Sequence, residues 1–202
     1  MNAKRNTVGW GFFLIWALAT LVGIVVAFFV FFVAMAALGE SIGIIPMPVA
    51  SLIMTGCFGF VIGLAQWSIL RSHVPQPAIW IGITLLGFLI SSPALLSWSG
   101  GFGPYITSRA SLGMAAALGS SLGITQWLVL RNKVARAALW IGISLISWIV
   151  AGLIGLALKS LSWEMGPILY WLGLFFAGTV LSAIGMVWLF RKSTPPANMQ
   201  AA

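Results

Sequence analysis

The chain has 202 residues, of which 61% are hydrophobic and only 6% are charged, and its formal net charge is +8 with no aspartate. Soluble domains carry about a quarter charged residues because polar groups must cover their surface, so this composition excludes an ordinary water-soluble globule. The basic excess could suggest a nucleic-acid binder. The basic residues stand in ones to threes beside apolar segments, however, and form no extended patch, so we expect no nucleic-acid partner.

Six apolar segments are long enough to be transmembrane helices, since a hydrocarbon core of roughly 30 Å needs about 20 residues. In chain order they are 10–38, 48–70, 78–98, 109–130, 137–158 and 167–190. These runs lack the apolar-polar alternation of barrel strands, which favours helices. The sequence therefore predicts an all-α polytopic membrane protein. Residues 1–195 would form a single transmembrane domain, and residues 196–202 a disordered tail.

The first segment could be mistaken for a cleaved signal peptide. It follows Lys4 and Arg5, and Ala34-Met35-Ala36 imitates a cleavage site. A signal h-region spans only about 7–15 residues, whereas this apolar run is much longer. We expect a retained first helix that either tilts in the bilayer or projects beyond it.

The basic residues predict how the chain is oriented. If both termini are cytoplasmic, eight of the ten Lys and Arg residues lie on the inner side, and only Arg109 and Lys159 lie outside. This asymmetry satisfies the positive-inside rule for short loops. The two acids, Glu40 and Glu164, then fall in outer connections. The inner basic residues are expected to attract anionic headgroups at the cytoplasmic face, so membrane lipids are predicted partners.

One polar and aromatic phrase occurs twice, sixty positions apart, as Gln66-Trp-Ser-Ile-Leu-Arg71 and Gln126-Trp-Leu-Val-Leu-Arg131. Aligning residues 63–90 with 123–150 without gaps gives 12 identities in 28, which indicates a duplication. Arg191 continues the spacing, although Met186 and Val187 stand where Gln and Trp would be. The pattern predicts three parallel-repeat helical hairpins, at about 1–75, 76–135 and 136–195. Three such hairpins would form either a compact bundle or a ring about an axis along the membrane normal.

The repeated phrase has two interpretations. In the first it packs and anchors helices: the Gln finds an interhelical partner, the Arg snorkels to headgroups, and small-residue pairs allow close helix contacts. Those pairs are Gly59 with Gly63 and Gly119 with Gly123. In this interpretation an interfacial aromatic belt would comprise Trp10, Trp67, Trp80, Trp127, Trp140 and Trp188. In the second interpretation, Gln and Arg line a headgroup or ligand site, whose candidate residues are Gln66, Arg71, Gln126, Arg131 and Arg191.

A second candidate site is the stretch Ser91-Ser92-Pro93 in the third segment. A proline inside a helix frees a backbone carbonyl and is expected to kink the helix. Ser91 and Ser92 could border a small ligand cavity there. Alternatively, their hydroxyls simply bond to nearby carbonyls and repair the broken ladder.

The residue types needed for catalysis are scarce. One His, one Cys and two Glu provide neither a hydrolytic triad nor a metal-ligand cluster, so we expect no enzyme activity, no metal and no cofactor. The predicted function is binding, either as an accessory or scaffold subunit of a membrane protein partner or as a holder of lipid or another hydrophobic ligand. The alternative is a small-molecule transporter or its membrane-embedded substrate-binding component.

The repeated Gly-x-x-Gln-Trp-x-x-Leu-Arg, followed by Val, Ala and Trp-Ile, resembles a group of small polytopic bacterial membrane proteins rich in Gly and Trp. The resemblance covers roughly residues 59–150. It implies a multi-pass protein of the bacterial inner (plasma) membrane. No activity is assigned to that group, so the resemblance implies none for this chain.

Overall fold

The structure is a computed structural model that describes residues 9–71, 78–96, 108–132, 134, 136–162 and 164–192. Within these residues the chain forms six helices: α1 (Trp10–Ile42), α2 (Met47–Leu70), α3 (Ile79–Leu96), α4 (Ser108–Leu130), α5 (Leu139–Lys159) and α6 (Gly166–Lys192). Five of them are long and apolar enough to cross a membrane, and the apolar part of α3, Ile79–Ala94, is shorter. The predicted all-α polytopic membrane fold is confirmed. The predicted tail lies outside the described residues.

Helices are the expected structure for these segments because no water is available in a bilayer core to bond the backbone, so each segment must satisfy its own N–H and C=O groups. Large apolar side chains are exposed on all six helices, as a lipid-facing perimeter requires. They include Leu18, Val25 and Phe29 on α1 and Phe176 on α6. The exposed apolar perimeter marks the chain as a membrane protein.

The six helices form a closed ring. Each helix packs antiparallel against its neighbours in the chain, and α1 packs against α6. Among the described residues, no backbone contact joins helices that are not neighbours in this ring. Odd-numbered helices therefore run in one direction and even-numbered helices in the other. We call the end that carries Arg71, Arg131 and Arg191 the basic end, and the end that carries Glu40 and Lys159 the opposite end.

Glycines bring neighbouring helices into direct backbone contact. A Cβ atom placed on Gly59 would lie 2.6 Å from the Cα of Leu85, so α2 touches α3 there. A Cβ atom on Gly119 would lie 2.9 Å from the Cα of Leu145, and α4 touches α5 at the position sixty residues later. The second glycine of each pair, one helical turn nearer the basic end, contacts the same neighbouring helix. The predicted close approach through small residues is confirmed.

Aromatic side chains fill the interior of the ring. Phe58 of α2 stacks on Phe175 of α6 with ring centroids 5.3 Å apart, and Trp16 of α1 meets Trp80 of α3 edge-on at 6.1 Å. Both pairs join helices that are not ring neighbours, so they span the interior. Phe28 of α1 contacts both Phe58 and Phe175 and thereby helps to close the ring. Within the part of the chain that the structure describes, the interior is a packed core that contains small cavities.

Candidate functional site

A buried carboxamide joins three helices near the basic end. Gln66 of α2 accepts a hydrogen bond from the indole N–H of Trp80 in α3, with 3.0 Å between Nε1 and Oε1. Its amide nitrogen donates to the hydroxyl of Thr20 in α1, at 3.5 Å. An indole N–H can only donate, so the bond from Trp80 fixes which way the carboxamide faces.

The same arrangement recurs sixty positions further along the chain. Gln126 of α4 accepts from the indole of Trp140 in α5 at 2.9 Å and donates to the hydroxyl of Thr84 in α3 at 3.3 Å. Thr84 lies on the helix that also supplies Trp80, so the two networks together link α1 to α5. The prediction that both glutamines find interhelical partners is confirmed.

Two of the tryptophans expected in the interfacial belt lie in the core instead. Trp80 and Trp140 are only 1% and 2% exposed, and their N–H groups bond inside the ring. Trp10, by contrast, is 69% exposed, as a belt residue should be. The belt interpretation used only distance from the helix end. Whether a Trp faces lipid or core depends on the rotation of its helix, which sequence position near a helix end does not indicate.

We call the interfaces α2–α3, α4–α5 and α6–α1 the first, second and third sectors of the ring. The third sector lacks the carboxamide, because Met186 stands sixty positions after Gln126 and is fully buried. Trp16 of α1 is the counterpart of Trp80 and Trp140 in the other sectors. All three tryptophans lie four residues before a hydroxyl-bearing residue on the same helix face, namely Thr20, Thr84 and Ser144.

Trp16 is consequently a buried donor without an acceptor. Its side chain is 1% exposed, and its indole N–H forms no hydrogen bond with any described residue. A methionine thioether is at best a weak acceptor, so Met186 does not replace the glutamine. Leaving a buried donor unsatisfied costs about 1–3 kcal/mol. Native proteins tolerate few such groups, and a functional role is one explanation.

The three sectors surround a cavity of about 30 Å³ in the basic half of the ring. A cavity needs about 10–15 Å³ to hold a single water molecule, so this one exceeds that minimum. We call it the polar chamber. The lining side chains that carry a polar group are Trp16, Thr20, Gln66, Thr84, Gln126, Trp140, Ser144, Trp148, Thr179 and Ser182. The sequence singled out only the glutamines as candidates for this site. The Trp-x-x-x-Thr/Ser spacing was a signal that could have revealed Trp16, Thr20, Thr84, Trp140 and Ser144, but it does not mark Thr179 or Ser182.

A second cavity, also about 30 Å³, lies nearer the opposite end and is lined mainly by aromatic and aliphatic side chains. Ser91 contributes to this lining, and its hydroxyl donates to the carbonyl of Phe88 at 2.7 Å. Ser92 is buried, and its carbonyl accepts a hydrogen bond from Ser51 at 3.3 Å. Ser91 therefore both borders a cavity and bonds within its own helix. Pro93 lies inside α3. We call this second space the apolar cavity.

The arginines predicted for the site do not line either cavity. Arg71 and Arg131 are exposed at the basic end, where their guanidinium carbons lie 5.7 and 5.5 Å from the ring centroids of Trp67 and Trp127. Such cation–π contacts are worth about 0.5–1 kcal/mol at exposed sites. Arg191 is likewise exposed, at the end of α6. The structure thus holds the glutamines inside the ring and the arginines on its rim.

Within the described residues, no group of three or more His, Cys, Asp or Glu side chains could hold a metal ion. No family model, no curated protein and no solved structure matches the chain.

Proposed function

We propose that this protein is a non-enzymatic membrane protein that acts by binding, and that it holds a small neutral molecule, or the polar head of a larger hydrophobic one, in the polar chamber. The polar chamber is the observation that carries this proposal. Ligand sites are typically apolar cavities in which a few convergent polar groups fix the orientation of the ligand. Here amide, hydroxyl and indole groups converge inside an otherwise aromatic and aliphatic core.

The chemistry of the lining favours a neutral ligand. None of the residues that line the polar chamber carries an ionisable side chain. A charged group moved into this space would lose its hydration without gaining a counter-ion, which is strongly unfavourable. Phe88 lines both the polar chamber and the apolar cavity. A ligand could therefore place its polar head beside the glutamines and direct an apolar tail past Phe88.

The proposed setting is a bacterial inner membrane with the basic end facing the cytoplasm. Arg71, Arg131 and Arg191 are exposed at that end and would meet anionic lipid headgroups there. Their aliphatic stems can lie along apolar side chains while the charged groups reach the headgroup layer. The lipid contact and the polar chamber are separate features of the same end of the ring.

The first experiment is native mass spectrometry of the untagged protein, purified from its own membrane into nanodiscs. We expect a neutral small molecule at a stoichiometry of one, and its loss in the Gln126→Met variant. The matched control is Ser68→Ala, because Ser68 is exposed and bonds only within its own helix. A stoichiometric protein partner with no small molecule would contradict ligand binding and indicate an accessory or scaffold subunit instead.

Transport of a small neutral molecule is the second candidate function. The specific observation in its favour is that the two cavities share Phe88, so movement of that one side chain could join them. Proteoliposome flux of small neutral solutes tests this candidate. Phe88→Ala should raise the flux at least several-fold, whereas Phe29→Ala, which removes an exposed Phe of α1, should not. Equal flux in liposomes with and without the protein would exclude transport of those solutes.

A further inference from the structure

We infer that the ligand of the polar chamber carries a primary carboxamide or urea-like group, and that the indole N–H of Trp16 binds its carbonyl oxygen. This inference rests on the proposed function, since it specifies the chemistry of the molecule that the polar chamber holds. In this arrangement the ligand supplies, in the third sector, the group that a glutamine side chain supplies in each of the other two sectors.

The first step is the pattern of the completed sectors. In each, a carboxamide oxygen accepts from an indole and the carboxamide nitrogen donates to a hydroxyl on the helix before it. In the third sector the corresponding indole is Trp16 and the corresponding hydroxyl is Ser144. Met186 holds the position that a glutamine holds in the other two sectors, but its thioether cannot donate a hydrogen bond and is at best a weak acceptor. For a carboxamide in the third sector, both partners are thus already present, namely the Trp16 indole as donor and the Ser144 hydroxyl as acceptor.

The second step is the change of side chains on α6. Ser182, one turn before Met186, lines the polar chamber where the corresponding residues of α2 and α4 are Ile62 and Leu122. A serine is smaller than either, so α6 leaves more room than the other two even-numbered helices. The Ser182 hydroxyl donates to the carbonyl of Thr179 at 3.0 Å, so its oxygen can still accept from a ligand N–H.

The third step compares ligand classes. A ketone, ester or ether could accept from Trp16 but would offer no donor to the hydroxyl oxygens of Ser144 and Ser182. A carboxylate or ammonium would meet no counter-ion in the lining. A primary carboxamide satisfies donor and acceptor groups together, and sites that hydrogen-bond both ends of a polar group reject analogues that lack one end by large factors.

The experiment uses the full chain, labelled with ¹⁵N-tryptophan in nanodiscs, and reads the indole N–H resonances. Trp16→Phe identifies the resonance of Trp16. The probes are acetamide, which can accept and donate, and methyl acetate, which can only accept. We expect acetamide to shift the Trp16 resonance downfield toward those of Trp80 and Trp140, with methyl acetate binding at least tenfold more weakly.

Met186→Gln supplies the missing carboxamide from the chain itself. In this variant the Trp16 resonance should already be shifted without any probe, and acetamide should bind at least tenfold more weakly than to the wild-type protein. Met186→Leu is the matched control, because it keeps the bulk of the side chain without adding a carboxamide. It should leave both the resonance and acetamide binding close to those of the wild-type protein.

Two results would overturn the inference. One is a Trp16 resonance that acetamide leaves unmoved, and the other is equal binding of acetamide and methyl acetate. The proposed function would survive either result if a molecule that stays bound through purification perturbs the side-chain amide resonances of Gln66 and Gln126, read on uniformly ¹⁵N-labelled protein. It would fail together with the inference if neither a retained molecule nor any probe perturbs those amides.

Discussion

The Gln126 side chain of α4 links three helices, because its oxygen accepts a hydrogen bond from Trp140 of α5 and its nitrogen donates one to Thr84 of α3. Gln126→Met would place in the second sector the residue that occurs naturally in the third, and would leave the Trp140 indole without its acceptor. Interhelical hydrogen bonds in membranes contribute about 1–2 kcal/mol in model peptides. We expect the free energy of unfolding to fall by about 1–2 kcal/mol, measured by reversible denaturation in mixed micelles.

Ser68 of α2 provides a control for this substitution, since it lies two residues after Gln66, the counterpart of Gln126. Ser68 is exposed, and its hydroxyl bonds to the carbonyl of Ala65 in the same helix at 2.7 Å. Ser68→Ala should change the free energy of unfolding by less than about 0.5 kcal/mol. If Gln126→Met lowers the free energy of unfolding no more than Ser68→Ala does, the hydrogen bonds of Gln126 contribute nothing to stability.

Sequence could anticipate that a glutamine inside a membrane segment needs a partner, but it could not identify the partner. Trp80 follows Gln66 by fourteen positions, lies on the next helix, and stands near a helix end where a lipid-facing belt residue would also stand. What places its indole inside the ring is the rotation of α3 against α2. That rotation is fixed by the backbone contact at Gly59, which involves residues of both helices.

Helix contact at glycine gives a prediction for the α4–α5 pair. A Cβ atom at Gly119 would lie 2.9 Å from the Cα of Leu145 and 3.0 Å from the carbonyl oxygen of Ser144. Gly119→Ala must therefore push the two helices apart, and overpacking of this kind costs about 1–3 kcal/mol. We expect that loss in the free energy of unfolding, together with a shifted Trp140 indole resonance.

Gly142 on α5 provides the matched control, since a Cβ atom there would meet nothing within 4 Å. Alanine is the better helix former by about 0.8–1.0 kcal/mol, so Gly142→Ala should be neutral or stabilising by up to about 1 kcal/mol. A loss of unfolding free energy for Gly119→Ala, with no loss for Gly142→Ala, would locate the α4–α5 contact at Gly119. Equal effects would mean that the helices do not touch there.

At the scale of the whole molecule, the sequence indicated three hairpins and favoured a compact bundle over a ring. Hairpin order follows from short connections along the chain. Closure of the ring depends on contacts between the first and last helices, such as the Phe28–Phe175 pair with centroids 5.9 Å apart. The two residues are separated by most of the chain, and α1 and α6 each carry other phenylalanines. No sequence pattern therefore marks these two as partners.

The distribution of basic residues predicts the behaviour of the whole ring in a membrane. Arg71 and Arg131 are exposed at the basic end, where each could attract anionic lipid by about 1 kcal/mol. Replacing both by Gln should weaken the orientation bias or reduce the number of anionic lipids retained on purification. Labelling of single cysteines in a Cys57→Ala background measures orientation, and native mass spectrometry counts the lipids. Arg109→Gln, at the opposite end, should change neither. Normal orientation together with undiminished lipid retention in the double variant would show that these arginines serve only to pack against Trp67 and Trp127.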